Sequence, residues 1–235
     1  MAKIDLKEYL DERDKIRESE QVPGPVITIS REHGCDANNI TRLLIKKLAG
    51  PIYKDSKTWK AINKEILEDA AHDLKLSERK IRGFMDKSAE SAAEDLFASF
   101  SQHYGTNSKK ILETLRDVIW SYAVEGHVII VGRGGAHIAK HIDKSLHVKL
   151  QAPRKWRVSQ VQKKWSLSPQ EAELQCRVID EKRTTWINQL SRDLVGDAVY
   201  DLVLNTQTLQ PHQIIEVILM AMESKGIIHS EKQLV

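Results

Sequence analysis

The chain has 235 residues, 41% of them hydrophobic and 29% charged, with a formal net charge of +3. This suits one globular domain with a sizeable core, or one domain with a helical insertion. The small net charge does not argue for a nucleic-acid partner, and no apolar run approaches the ~20 residues of a membrane span. Two cysteines, Cys35 and Cys176, make neither a disulfide framework nor a zinc spacing. The N-terminus is charged throughout and lacks the apolar core of a signal peptide, so a cytoplasmic protein is expected.

In chain order, residues 1–24 read as an amphipathic arm and a linker, with Ile4, Leu6, Tyr9, Leu10 and Ile16 as the apolar members of the arm. Val26-Ile27-Thr28-Ile29 is a β-branched run that predicts a buried strand. A polar turn, Arg31 to Asn39, carries Gly34. From Ile40 the apolar residues take helical spacing, up to Gly50-Pro51. A strand entering a helix through such a turn suits a phosphate, because the helix N-terminus presents free N–H groups and a positive dipole end. The usual lysine of such loops is missing: the positions read Ala37-Asn38-Asn39. A plain capped turn, with Asp36, Asn38 or Asn39 as the cap, weighs about equally on these residues alone.

Pro51-Ile52-Tyr53 is the candidate second strand, and residues 57–125 read as helices ending at Gly126. His127 to Val131 is a buried strand that runs into Gly132-Arg133-Gly134-Gly135. There the glycines allow close backbone approach and Arg133 offers a planar fork for phosphate. Leu146 to Leu150 is a further strand. A basic helix follows from Arg154 to Trp165. Ser168-Pro169-Gln170-Glu171 is a capping box that starts a helix running to about Leu190. Asp201 to Asn205 is the last strand, and a closing helix begins at Gln210. Arg157 and Lys164, seven apart, share a helical face, and Asp180 and Arg183 stand at i and i+3. A solvated basic face is the plainer reading of that region, and packing is the plainer reading of Trp156, Trp165 and Trp186. His33 and His137 have no partner at metal spacing.

Strands alternating with helices predict a parallel sheet with helices on both faces, and ligands at the carboxyl ends of its strands. Those ends are Ser30 to Asn39, Tyr53 to Asp55, Gly132 to Gly135 and Ala152 to Arg157. All four carry charge, glycine or both, which points to an anion site.

The stretches ITISREHGC (27–35), VIIVGRGG (128–135), LHVKLQAP (146–153), SLSPQEAE (166–173), IDEKR (179–183) and YDLVLNT (200–206) occur in an order that resembles the cytidylate kinase-like proteins of the P-loop nucleoside monophosphate kinase group. The resemblance implies an α/β fold, P-loop NTPase-like, with a five-stranded parallel sheet flanked by helices. It implies a single domain over 25–235, with a helical NMP-binding region near 55–125 and a lid near 154–190. It also implies phosphoryl transfer from ATP with Mg2+ to CMP, dCMP or a related nucleotide. On that reading Arg31, Arg133, Arg157, Asp180 and Arg183 carry the chemistry, Arg31 standing in for the loop cation. Ser30, Gly34, Asp36, Asn38, Asn39 and Thr41 face the nucleotide phosphates, and Asp55, Gly132, Arg133 and Gly134 face the acceptor. No residue is assigned as a metal ligand. The departures are Asp36-Ala37-Asn38 in the loop, Gln160 at the second lid arginine, and Cys176-Arg177 where an Arg-Asp pair is usual. They keep a second class open, a non-catalytic relative that binds a nucleotide or a protein. A kinase for another small phosphate acceptor is a third reading. No nucleic acid or membrane partner is expected, and the oligomeric state is not read from the sequence.

Overall fold

The computed structural model describes residues 24–53, 58–63, 68–69, 72–73, 107–190 and 199–229. Five strands, β1 (Val26–Arg31), β2 (Lys60–Ile62), β3 (Val128–Val131), β4 (Ser145–Gln151) and β5 (Leu202–Asn205), form one sheet in the order β2-β3-β1-β4-β5. Every pairing is parallel. The strands are joined through α1 (Ala37–Leu48), α2 (Asn107–Glu125), α3 (Gly135–Ile138), α4 (Arg154–Trp165) and α5 (Pro169–Leu190), and α6 (Pro211–Ser224) closes the described chain. The expected α/β class, a five-stranded parallel sheet flanked by helices, is the one observed. No helix among the described residues is long and apolar enough to cross a membrane.

The centre of the sheet is buried on both faces, which is why β3 is a continuous apolar run and Val26–Ile29 of β1 a buried β-branched one. Ile27 and Ile29 point into a core with Leu44, Leu146, Val148, Ile215 and Ile218. Val26 points to the other face, with Val128, Ile130, Leu115, Ile119 and Trp186. Trp186 is thus a packing residue. Helix α1 starts where its cap allows: the Asp36 carboxylate accepts from Asn39 N–H at 3.3 Å. At α5 the capping box is complete, with Ser168 N–H donating to Glu171 Oε2 at 2.8 Å and Glu171 N–H to Ser168 Oγ at 3.3 Å.

Two expectations are corrected. Residues 51–53 are a turn rather than a strand; Tyr53 N–H reaches back to the Gly50 carbonyl at 3.3 Å. The second strand lies inside the stretch read as helical, at Lys60–Ile62. Its three residues have no β pattern of their own. Pairing with β3 imposes the strand, beginning with Lys60 N–H on the His127 carbonyl at 2.9 Å, while Trp59 and Ile62 bury beside it. The amphipathic arm, the helices read between 74 and 106, and Asp55 lie outside the described residues.

One buried polar chain crosses the sheet. Thr28 Oγ1 and His147 Nδ1 are 2.8 Å apart, and Ser145 Oγ lies 3.1 Å from His147 Nε2. Burial is the main cause that lowers the His147 pKa from 6.5 to about 4, against the opposing charge of Asp201. The unfolded chain then takes up its proton first as pH falls. Stability from this group is complete above about pH 6.5 and drains away down to about pH 4, by roughly 3 kcal/mol in all. Urea unfolding from pH 7 to pH 4 checks this. The variant His147→Gln should lose that part of the slope, and a slope equal to wild type contradicts the assignment.

Candidate functional site

The carboxyl ends of β1, β3 and β4 open on two adjoining cavities. The larger, about 470 Å³, lies between the β1–α1 loop and α4. Its lining includes Asp36, Asn38, Gln160, Lys163, Lys164 and Trp165. The smaller, about 170 Å³, lies over the β3–α3 turn and is lined among others by Ser30, Arg133, Lys149, Asp180 and Tyr200. Arg31, Glu32 and Arg183 line both, so they stand at the junction.

The β3–α3 turn has an unusual backbone. Gly132, Arg133 and Gly134 take φ of 76°, 58° and 74°, and Gly135 N–H donates to the Gly132 carbonyl at 3.0 Å. A left-handed conformation suits glycine and strains arginine. Arg133, so held, lines the smaller cavity. Gly132 also leaves room for Arg31: a Cβ there would lie 1.9 Å from the Arg31 Nη1.

Charge is concentrated at the junction. Loss of solvation comes first, then the charges of Arg183 and Arg133, and together they pull the Arg31 pKa from 12.5 to about 9. Among the described residues no carboxylate forms an ion pair with Arg31. Arg183 is likewise lowered, first by burial, with Asp180 opposing, and its Nη1 donates to the Arg31 carbonyl at 2.9 Å. Three guanidinium groups held together in this way are matched by an anion.

Arg157 has another place. It lines neither cavity and is 6% exposed. Its Nε donates to the Ala152 carbonyl at 2.9 Å and meets Glu32 at 3.2 Å. Its Nη1 donates to the His33 carbonyl at 3.0 Å and to Asp180 Oδ2 at 2.6 Å. Burial alone would lower its pKa, but the hydrogen bond and charge of Asp180, with Glu32, hold it above the ordinary value. Asp180 Oδ1 takes the His33 N–H at 2.7 Å, and Glu32 takes the Ala152 N–H at 3.1 Å. Arg157 thus fixes the loop from within. Gly34, at φ 95°, makes that possible, because a Cβ would lie 2.8 Å from the Arg157 carbonyl oxygen.

Several other sequence-selected residues are now placed. Gly34, Asp36 and Asn38 line the larger cavity. The Asn39 N–H is taken by Asp36, and the Asn39 side chain accepts from Arg42 at 2.9 Å. Thr41 is buried within α1 and lines neither cavity, and its hydroxyl has no hydrogen-bond partner. Gly134 joins Gly132 and Arg133 in the smaller cavity. Cys176 packs between α4 and α5 with Val158, Val161 and Ala172, and Arg177 is exposed. The sequence reading missed Lys149 and Tyr200. Lys149 lies within β4, two residues before its last, and its Nζ is 5.7 Å from the Tyr200 ring centroid. A charge inside the strand expected over Leu146 to Leu150 was the available signal.

Residues 26–208 match the cytidylate kinase-like family, and the chain belongs to it. A solved structure of an uncharacterised protein from Eubacterium ventriosum is similar with a TM-score of 0.59 at 16% identity, over 85% of this chain and 98% of that one. A shikimate kinase from Acinetobacter baumannii, solved with shikimate, gives a TM-score of 0.44 at 12% identity, over 86% and 95%. A uronate isomerase of Corynebacterium glutamicum is 30% identical over 139 residues, 59% of this chain. The match covers about a quarter of that protein's length (26%). Family and fold together support a nucleotide kinase-like role.

The family implies magnesium. Among the described residues no three His, Cys, Asp or Glu side chains gather for a metal. Asp180 uses both carboxylate oxygens, on the His33 N–H and on Arg157, and Glu32 uses its Oε2 on the Ala152 N–H and on Arg157. These side chains do not fit a protein-built magnesium site; they fit the frame of an anion site.

Arg157→Met should destabilise the protein by about 3–5 kcal/mol, because it strands Asp180 and Glu32 among buried groups. Chemical denaturation measures this. A loss below about 1 kcal/mol, the range of a surface ion pair, contradicts the structural role.

Proposed function

We propose that this protein is a phosphotransferase that moves the γ-phosphoryl group of ATP to CMP, dCMP or a related nucleoside monophosphate. One observation carries the reading. Arg31 and Arg183 stand where the two cavities meet, and Arg133 lines the smaller one. The larger cavity then takes the donor triphosphate and the smaller one the acceptor phosphate. An acceptor phosphate oxygen forms a new bond to the γ-phosphorus. The bond from that phosphorus to the β–γ bridging oxygen breaks, and ADP leaves with the electron pair. Such a transfer needs little covalent help from the protein. It needs alignment and positive charge around equatorial oxygens that gather charge. Arg31 and Arg183 supply that charge at the junction, and Arg133 holds the acceptor. Asp180 positions Arg183, with its Oδ1 3.9 Å from the Arg183 Nη1. Magnesium would come with the triphosphate rather than on side chains of this protein, and would add positive charge to the phosphates.

A second reading has its own observation. The carboxylate of Asp36 caps α1, where a loop that binds phosphate through its amides presents N–H groups to the ligand. That favours a binding module that holds a nucleotide without transfer.

ADP release from magnesium-ATP, coupled to a readout enzyme and run over a panel of nucleoside monophosphates, tests the first reading. Turnover is expected with at least one acceptor. Arg31→Met and Arg133→Met should each lower kcat by about 10²–10³. Folded protein with no turnover on any acceptor overturns transfer, and tight binding of ATP in calorimetry then supports the module.

A further inference from the structure

We infer that Lys164, at the end of α4, is the donor-phosphate cation that the β1–α1 loop itself lacks. The inference rests on the donor reading of the larger cavity and assigns one residue within it. Beyond Arg31 at the end of β1, the loop and the start of α1 line that cavity with two carboxylates, Glu32 and Asp36, and with no lysine or arginine; Glu32 is taken by Arg157, which leaves Asp36. The opposite wall is α4. Of its residues, Gln160 is neutral and Arg157 faces away into its own buried partners. Lys163 and Lys164 remain, and both line the cavity. Lys164 is the one that reaches the loop, with its Nζ 3.8 Å from Asp36 Oδ2.

The end of α4 is held in place, so a side-chain movement is enough. Trp165 stacks on His33 with centroids 5.3 Å apart and planes 22° apart. His33 belongs to the loop that Arg157 and Asp180 fix. The Lys164 ammonium also lies 5.2 Å from the Trp165 ring centroid. Its contact with Asp36 is weak on two counts. Both side chains are 54% exposed, and 3.8 Å is well beyond the ~2.7–2.9 Å of a strong charge-assisted bond. Moving the ammonium from Asp36 to a phosphate oxygen therefore gives up little. The Asp36–Lys164 pair is the resting state of the donor cation. It also answers how an acidic residue stands in such a loop: Lys164 neutralises it until the nucleotide enters.

The full chain is titrated by calorimetry with ATP, with inorganic tripolyphosphate and with CMP. Lys164→Met should weaken ATP and tripolyphosphate by the same factor, roughly tenfold or more, and leave CMP unchanged. Lys155, exposed on α4 and lining neither cavity, is the control for bulk charge; Lys155→Met should leave all three ligands unchanged. Asp36→Asn keeps a capping side chain, frees Lys164 and should tighten both triphosphates, with a smaller gain in the Lys164→Met background. Wild-type affinity in Lys164→Met overturns the assignment while leaving the donor cavity in place, as does an equal loss in Lys155→Met. Wild-type protein that binds neither ATP nor tripolyphosphate overturns the donor reading and the Lys164 role with it.

Discussion

The guanidinium of Arg157 is the interaction on which the site depends. It is buried and contacts four groups that belong to three parts of the chain. Glu32 and the His33 carbonyl come from the β1–α1 loop, Ala152 from the end of β4, and Asp180 from α5. Two of these partners are carboxylates that in turn hold backbone N–H groups of the loop and of β4. The result is a closed network in which each charge has a partner and each carboxylate fixes a piece of backbone. Arg183 sits one turn beyond Asp180 on α5, so the clamp that fixes Asp180 also delivers Arg183 to the Arg31 carbonyl.

The neighbouring cluster has the opposite character. Burial first, and then the charges of Arg183 and Arg133, lower the pKa of Arg31, so its charge is held at a cost. A fold keeps such an arrangement only because something else holds it. Here the holders are the Arg157 network on one side and the left-handed Gly132-Arg133-Gly134 turn on the other. Both hold positive charge on the walls of the two cavities, the preorganisation that an anion site requires. The two arginine systems are linked through Asp180, which binds Arg157 at 2.6 Å and lies 3.9 Å from Arg183.

Much of this was legible in the sequence because the signals are local. The β-branched run before Arg31, the glycines around Arg133, and the capping box at Ser168 each act within a few residues, and each element lies where it was expected. Strand β2 was not legible, since Lys60-Ala61-Ile62 becomes a strand only through β3. The heptad spacing of Arg157 and Lys164 gave one face, and both do turn towards the β1–α1 loop. Spacing carries no depth, however. It could not separate an arginine buried at 6% exposure from a lysine half in water. Nor does it carry pairing across the fold: Asp180 and Arg183 read as partners of each other, yet their closest polar contacts are with the β1–α1 loop and Arg157.

The same distinction bears on transfer against binding. A loop that carries an acid and no lysine reads as damaged when taken alone. Damage would leave the rest of the site free to lose its charge, because desolvated like charges cost stability and offer a merely structural protein nothing. The cluster is instead maintained by a network far more elaborate than a turn requires. The acid, too, has a use, as a helix cap and as a resting partner for a lysine across the cavity. A rearranged anion site accounts for both facts at once, and a decayed one accounts for neither.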